Sequence, residues 1–400
     1  NIKGADLLVI SSAININNPE IIQAQKEQIT VIPRAEMLGS IMIGYESIAV
    51  AGSHGKTTTT SMVAKIFSVA DLSPTYVVGG KVLSTDENSD LGKGKYLVAE
   101  ADESDGTFIH LQPDVALITN IDDDHLAHYN NIFENLLDSF VTFLENIPFW
   151  GYMVVNGDDK DVINVSKRIS RKQVTFGESK NCHYQISNIR SANGTQSFQI
   201  LDASKDKSYN FLLNIPGKHN VFNAAGSIAV ALEEDIEIET IQKAISDFSG
   251  VGRRYEKHSI NIASKDIVLI DDYGHHPIEI NANLSAIKEE YPEKKVCMIF
   301  QPHRYTRTEQ LFDDFVKVLL EVDSLILLDI YSASEQPIKG INSEAIAKAI
   351  SKQGHNDVIH LADHNKINQI LNSKSDHIEV LVTQGAGSIS MVCESIIKNV

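Results

Sequence analysis

Short apolar runs recur along the chain, and each closes on small, polar or charged residues. The first, residues 6–14, reads as a buried strand ending near Ser11 and Ser12. A helix-like stretch (19–27), a short strand (29–32) and a second helix-like stretch (34–43) follow. The sequence begins at Asn1 and enters that strand at once, so residues 1–45 read as the tail of an α/β domain whose first strands precede them. Further buried strands are expected at 48–51, 96–99 and 114–119. Met62, Val63, Ile66 and Phe67 give the stretch after the first of these a helical spacing. Residues 183–213 alternate and are rich in turn residues, which predicts antiparallel strands, and a periodic apolar helix follows over 221–232. Gly250 and Gly252 mark a linker. Beyond it, strands at 267–270, 295–300, 324–329, 357–361 and 379–383 alternate with helices near 278–290, 309–320 and 343–352, and a terminal helix closes the chain. Such β–α alternation predicts a parallel, doubly wound sheet.

Between the strand at 48–51 and its helix lies Gly52-Ser53-His54-Gly55-Lys56-Thr57-Thr58. Strand, glycine loop and helix in that order build a phosphate cradle, because glycine lets backbone N–H groups approach an anion at a helix N-terminus. Lys56 is placed to reach the outer phosphates and the Thr57 hydroxyl to hold Mg²⁺. The spacing G-x-x-G-K-T is shorter than the common G-x-x-x-x-G-K-[ST], and a glycine-punctuated turn is the plainer alternative. The expected fold class is α/β: a P-loop-type central domain with a mostly parallel sheet (46–250) and a doubly wound, Rossmann-like C-terminal domain (251–400), preceded by the partial α/β domain 1–45.

Composition narrows the partners. Four hundred residues suit two or three domains, and 42% hydrophobic with 22% charged residues is ordinary for a globular chain. A net charge of −18 argues against nucleic acid, whose backbone demands concentrated Lys and Arg. Three dispersed cysteines fit neither a disulfide framework nor a zinc site, so a reducing cytoplasm is expected. No run is long enough to insert in a membrane, and no signal-like N-terminus is present.

In open α/β sheets the chemistry lies beyond the carboxyl ends of the strands, and polar clusters sit there repeatedly. Glu100, Asp102, Glu103, Ser104 and Asp105 follow one strand, where Glu100 can hold Mg²⁺ against phosphates. Asn120 and Asp122-Asp123-Asp124-His125 follow the next, with His125 a second metal candidate. Lys218-His219-Asn220 and Asn223 open a helix, where an N-cap explains them as well as a contact to a base edge does. Arg253 and Arg254 lie in the linker and suit phosphate, though a solvated pair is equally ordinary. Asp271-Asp272-Tyr273-Gly274-His275-His276 and Gln301-Pro302-His303-Arg304-Tyr305-Thr306-Arg307 end neighbouring strands, and such a pocket can hold a carboxylate and orient an amine.

Taken in order, G-S-H-G-K-T-T-T, E-A-D-E-S-D, T-N-I-D-D-D-H, G-K-H-N-V-F-N-A, G-V-G-R-R, D-D-Y-G-H-H-P and Q-P-H-R-Y-T-R-T resemble the motifs of the Mur ligases over nearly the whole chain. That resemblance implies a cytoplasmic, ATP- and Mg²⁺-dependent amide-forming ligase of peptidoglycan synthesis, with UDP-N-acetylmuramate and L-alanine as partners and a monomer or homodimer as the assembly. It implies Lys56 at the β- and γ-phosphates, Thr57 and Glu100 on one Mg²⁺, and His125 on a second. Gly52, Ser53, His54, Gly55 and Thr58 would complete the phosphate loop. Asn220, Asn223 and His219 would lie at the adenine, and Arg254 and Asp272 at phosphate and ribose. Tyr273, His275, His303, Arg304 and Arg307 would shape the amino-acid pocket with His275 as base, Ser11 and Ser12 would lie near the uridine diphosphate, and His276, Ser104 and Asn120 would also contact substrate. Two features of the family are missing from the sequence: a glycine-rich uridine loop, and a lysine between His125 and Lys160 that several relatives carbamylate. A ligase that recycles a tripeptide, a P-loop kinase or NTPase, and a silent nucleotide binder stay open as alternatives.

Overall fold

The computed structural model describes residues 2–83, 87–124 and 126–399. The chain divides into two compact units, one of residues Asn1–Arg190, Gln196–Asn214 and Lys218–Ser249, the other of Ser191–Thr195, Ile215–Gly217 and Gly250–Val400.

In the first unit, β1 (Leu7–Ile10), α1 (Pro19–Lys26), β2 (Thr30–Pro33) and α2 (Arg34–Met42) make a small piece whose two strands pair in parallel. Asn18 starts α1, accepting a hydrogen bond from the Glu20 N–H, with Pro19 preset for the first helical position. The strand expected over 6–14 is shorter and is only half-buried, with Val9 41% exposed, since a two-stranded sheet has little to cover it.

The main sheet of this unit takes β3 (Glu46–Ala51), β4 (Thr75–Val82), β5 (Glu87–Asp90), β6 (Tyr96–Glu100), β7 (Val115–Ile118), β8 (Tyr152–Asn156), β9 (Lys172–Gly177), β10 (Tyr184–Ala192), β11 (Thr195–Asp202) and β12 (Lys207–Leu213). Its ten strands run in the order β12-β11-β10-β9-β8-β7-β3-β6-β4-β5. From β4 through β6, β3, β7 and β8 to β9 every pairing is parallel, while β5 and the β11–β12 pair are antiparallel. Helices α3 (Lys56–Val69), α4 (Phe133–Glu145), α5 (Lys160–Ser166), α6 (Lys218–Glu233) and α7 (Ile238–Ser246) complete it. The central strands read as continuous apolar runs because both faces are covered. Ala49, Ala51, Ala99, Ile118 and Val155 share a core with Phe140, Phe143 and Leu144 of α4, and the alternate positions face α3 and α6. From β3 the chain crosses to β4 and β5 at one edge, returns to β6 beside β3, and then takes β7 on the other side of β3, so the order of strands reverses at β3. A crevice opens there, outside the carboxyl ends.

At the amino end of the same sheet two acidic residues close α6. Glu234 accepts from the hydroxyls of Tyr96 (2.8 Å) and Tyr152 (2.7 Å), and Glu233 from Tyr184 (2.8 Å) and Lys172 (2.6 Å). These donors offset the mismatch between a carboxylate and a helix C-terminus. Phe149 and Trp150 also lie at this end, 85% and 68% exposed, and Trp150 Nε1 donates to Asp114 Oδ1 at 3.1 Å.

The second unit contains β13 (Glu256–Ile262), β14 (Lys265–Asp272), α8 (Pro277–Glu290), β15 (Val296–Phe300), α9 (Tyr305–Gln310), α10 (Phe312–Leu319), β16 (Ser324–Leu328), α11 (Ser343–Lys352), β17 (Val358–Leu361), α12 (Ile367–Lys374), β18 (Val380–Gln384) and α13 (Ile389–Asn399). The six strands run β13-β14-β18-β15-β16-β17 and are parallel except for the antiparallel edge β13. On β15 the alternation is strict: Met298 and Phe300 face α8, α10 and α11, while Cys297 and Ile299 face α12 and α13. The single helix expected near 309–320 begins earlier and is broken at Leu311 (φ −109°, ψ 22°), which divides it into α9 and α10.

Glu234→Ala leaves the largely buried Tyr152 hydroxyl without its acceptor and takes one of two carboxylate partners from Tyr96, so it should lower the unfolding free energy by about 2 kcal/mol. A urea titration followed by circular dichroism measures this, and an unchanged midpoint would show that the hydroxyls are satisfied otherwise.

Candidate active site

β3 ends at Ala51 and the chain turns at once. Gly52 has φ +134°, and a Cβ there would press on Thr119 Oγ1 and lie 2.8 Å from Asn120 O. Gly55 has φ +82°, and a Cβ would strike the Asn223 amide. Only glycine meets both demands, a positive φ and a close neighbour. The loop is laced to the segment after β7. Ser53 N donates to Asn120 O (3.0 Å) and His54 N to Asn120 Oδ1 (2.8 Å), while His54 O accepts from Thr119 Oγ1 (2.7 Å) and Asn120 Nδ2 (2.9 Å). Asp122 N donates to Ser53 Oγ at 2.8 Å. Hydrogen bonding to His54 holds the Asp122 carboxyl down at about 2. α3 starts at Lys56, so its unpaired N–H groups and those of the loop face the crevice, with Thr57 and Thr58 buried in its first turn.

Lys56 is itself buried. Its Nζ donates to Gly52 O (2.7 Å), Ser53 O (3.3 Å) and Glu103 Oε2 (2.6 Å), with Asp102 Oδ1 3.9 Å away. Burial opposes its charge, but Glu103, Asp102 and Glu100 outweigh burial and hold the ammonium above the ordinary lysine range. Glu103 is fully buried, and burial pushes its carboxyl up to about 7 against the pull of Lys56. Thr57 Oγ1 donates to Glu100 Oε1 at 3.1 Å, and Glu100 Oε2 accepts from Gly79 N at 2.7 Å. These adjacent hard oxygens suit Mg²⁺. Among the described residues no group of three or more His, Cys, Asp or Glu side chains has the arrangement of a metal site. His125 lies outside the described residues.

Asn220 and Asn223 sit at the mouth of the loop. Asn223 Nδ2 donates to Asn220 Oδ1 (3.1 Å), and Ser227 Oγ, one turn on, bonds Thr59 O of α3 (3.3 Å). His219 is exposed beside them. Ser104 N donates to Asp102 Oδ1 at 3.1 Å. The hydroxyl of Ser12 hydrogen-bonds Asp105 and, with Thr107, brings that carboxyl below its ordinary range against the effect of burial. Ser11 Oγ accepts from Ala13 N at 3.3 Å. The end of β1 therefore meets the acidic loop after β6.

In the second unit the carboxyl ends of β14, β15 and β18 carry a separate polar cluster. His275 Nδ1 lies 3.3 Å from Tyr273 O and 3.8 Å from Glu279 Oε2, and the His275 N–H donates to that same oxygen at 2.8 Å. A carbonyl only accepts, so Nδ1 is the donor of that pair. The His303 ring is 5.4 Å from that of His275 and stacks on Tyr331. Arg307 Nη1 lies 3.2 Å from His303 Nδ1. A guanidinium only donates, so in His303 the proton belongs to Nε2. Arg304 holds φ +69° with ψ 140°, a strained backbone for a residue with a side chain, and its N–H is fixed by Tyr331 O at 2.8 Å. His276 caps α8 in a reciprocal box with Glu279 and is buried, so it serves the helix.

Asp272 accepts from Tyr255 N, Gly274 N and Gln384 Nε2, each at 2.8 Å. Burial pushes its carboxyl up to about 6, with Arg254 pulling the other way. The Arg254 guanidinium lies 4.8 Å from the centre of the Tyr273 ring, and Arg253 instead ties Asp271 Oδ2 (3.0 Å) to Gly385 O (2.6 Å). The structure thus gathers Gly52, Ser53, His54, Gly55, Lys56, Thr57, Glu100, Asn120, Asn220 and Asn223 in one unit, and Arg254, Asp272, Tyr273, His275, His303 and Arg307 in the other. Sequence reasoning left Glu103, Glu279, Tyr331 and Gln384 without roles. Glu279 had a signal, lying three residues beyond a helix start.

Three family profiles match along the chain. Residues 1–46 match the family profile "Mur ligase family, catalytic domain", 50–231 match "Mur ligase middle domain" and 253–387 match "Mur ligase, glutamate ligase domain". The UDP-N-acetylmuramate–L-alanine ligase of Psychrobacter sp. (strain PRwf-1) is 43% identical over 100% of this chain and 84% of its own. The protein of the same name from Vesicomyosocius okutanii subsp. Calyptogena okutanii (strain HA) is 45% identical over 98% of this chain and 84% of its own. The crystal structure of the UDP-N-acetylmuramate–alanine ligase of Thermotoga maritima superposes with a TM-score of 0.83 at 26% identity, covering 100% of this chain and 86% of that one. Among the described residues no helix is long and apolar enough to cross a membrane.

Gly52→Ala forces a side chain into a left-handed backbone beside Thr119 and should destabilise the protein by about 2 kcal/mol while weakening nucleotide binding. A thermal melt with a nucleotide titration tests both. A second expectation concerns Asp272, whose pKa of about 6 in the folded protein exceeds the ordinary 3.8. The folded state then holds the proton more tightly than the unfolded one, so Asp272 stabilises below about pH 4 and that contribution is lost as pH rises through about 6. The urea midpoint of wild type relative to Asp272→Asn should fall over that window, and a flat difference would refute the raised value.

Proposed function

The chain belongs to the Mur ligase family, and we propose that it joins L-alanine to the lactyl carboxylate of UDP-N-acetylmuramate, converting ATP to ADP and phosphate. The support is twofold: its full-length relatives share that name, and the chain carries a loop built to hold a polyphosphate. The substrate carboxylate takes the γ-phosphoryl group to give an acyl phosphate, the alanine amine attacks, and the tetrahedral intermediate expels phosphate. Phosphoryl transfer asks for positioning and charge neutralisation more than covalent help. Lys56, the loop N–H groups and the first turn of α3 supply these. Thr57 and Glu100 would hold Mg²⁺, which would supply neutralisation of phosphate charge. Asn220 and Asn223 meet the nucleotide, Ser11 and Ser12 the nucleotide sugar, and Ser104 and Asn120 also contact substrate.

The two histidines divide the work on the amino acid. His275 presents an unprotonated Nε2 and takes the proton from the ammonium, while His303 presents an Nε2–H to an acceptor. Arg304 and Arg307 offer guanidinium forks to the alanine carboxylate. We place the activity in the cytoplasm, where ATP is available.

ADP formation from Mg²⁺-ATP should require both UDP-N-acetylmuramate and L-alanine. His275→Gln should slow turnover by about a hundredfold and remove the acid limb of the pH–rate profile. Activity with a tripeptide in place of alanine would move the reading to the recycling ligase, and ATP turnover with neither co-substrate would move it to an NTPase.

A further inference from the structure

The proposed reaction needs the Lys56 ammonium at the phosphates, yet its hydrogen bonds go elsewhere. An ammonium has three N–H donors. All three are used, on Gly52 O (2.7 Å), Ser53 O (3.3 Å) and Glu103 Oε2 (2.6 Å). A phosphate oxygen reaches Nζ only by displacing one of them. Two are backbone carbonyls fixed by the turn at Gly52. The third is a side-chain carboxylate, an oxygen anion like the phosphate itself.

Glu103 is built unlike a structural ion-pair partner. It is fully buried, yet its Oε1 has no hydrogen-bond partner among the described residues. Glu100, at the end of β6, has both oxygens engaged, by Thr57 and Gly79. Buried carboxylates kept for stability are normally satisfied at both oxygens, because an unmet one is costly. Lys56 is saturated while Glu103 is half-satisfied. The backbone of Glu103 is pinned by the Tyr129 hydroxyl, which donates to Glu103 O at 2.5 Å, so an exchange at Nζ falls to the side chain.

We propose that Glu103 is a positioning residue whose carboxylate stands in for a nucleotide phosphate on Lys56, so that ATP binds by exchanging one anion for another at Nζ. The idea rests on reading the loop as a nucleotide site. Glu103 aims the ammonium into the crevice and competes with the ligand it awaits.

Glu103→Gln keeps the shape and removes the competing charge. The Kd for Mg²⁺-ATP by calorimetry should tighten about tenfold, since less of the protein is held in the competing arrangement. The KM for ATP should fall with it, while kcat does not rise. In a Lys56→Ala background the same substitution should leave Kd unchanged, because the exchange has lost its site. A purely structural role would move the melting temperature and leave Kd within about twofold in both backgrounds. That result, or equal tightening with and without Lys56, overturns the proposal. Should Glu103→Gln fail to fold, Glu103→Asp, which draws the carboxylate back by one methylene, decides through the same cycle with a smaller tightening. Wild type that binds no ATP would overturn this inference and the nucleotide reading together. Binding that follows the cycle, without dependence of ADP formation on the two co-substrates, would overturn the ligase reading alone.

Discussion

A lysine ammonium is placed inside the protein at the carboxyl end of β3, and much of the first unit answers to that placement. A buried charge without partners is far too costly to keep, so the chain must bring oxygens to it. Gly52 turns the loop so that the carbonyls of residues 52 and 53 point back at Nζ, and the short G-x-x-G spacing makes this geometry possible. The acidic loop after β6 brings Glu103, and the segment after β7 clamps the backbone that carries the carbonyls. α6 completes the enclosure by setting Asn223 against Gly55. The position of β3 between β6 and β7 makes all three neighbours available at once.

The second unit solves a different problem, that of orienting two imidazoles a short distance apart. It does so with groups that can act in only one direction, a carbonyl for His275 and a guanidinium for His303. The strained Arg304 backbone between them is kept by the Tyr331 carbonyl, an example of local strain held in place by its surroundings.

Much of this was legible in the sequence, and the reasons for the rest are physical. The runs at 48–51, 96–99, 295–300 and 379–383 stand out because strands covered on both faces are apolar throughout. β13 was missed because an edge strand alternates, as in His258-Ser259-Ile260-Asn261-Ile262, and resembles linker. The break at Leu311 is set by how α9 and α10 pack, which periodicity along one helix does not encode. The acidic string E-A-D-E-S-D announced chemistry but not its division of labour: Glu100 and Glu103 are identical in type, and only the fold separates the one on Thr57 from the one on Lys56. His276 and His275 are likewise adjacent in sequence, yet one caps α8 and the other faces the cluster.

The single tryptophan of the chain gives the molecule an uneven optical character. Trp150 stands exposed at the amino end of the first unit's sheet, bonded to Asp114 and against the Phe149 ring, while the phosphate loop lies at the carboxyl end. Its emission belongs to a solvated indole and is remote from any ligand in that loop. Intrinsic tryptophan fluorescence therefore watches the amino end of the first unit's sheet, away from the glycine loop. A dye, a labelled nucleotide or a new tryptophan is needed to make the reacting end visible.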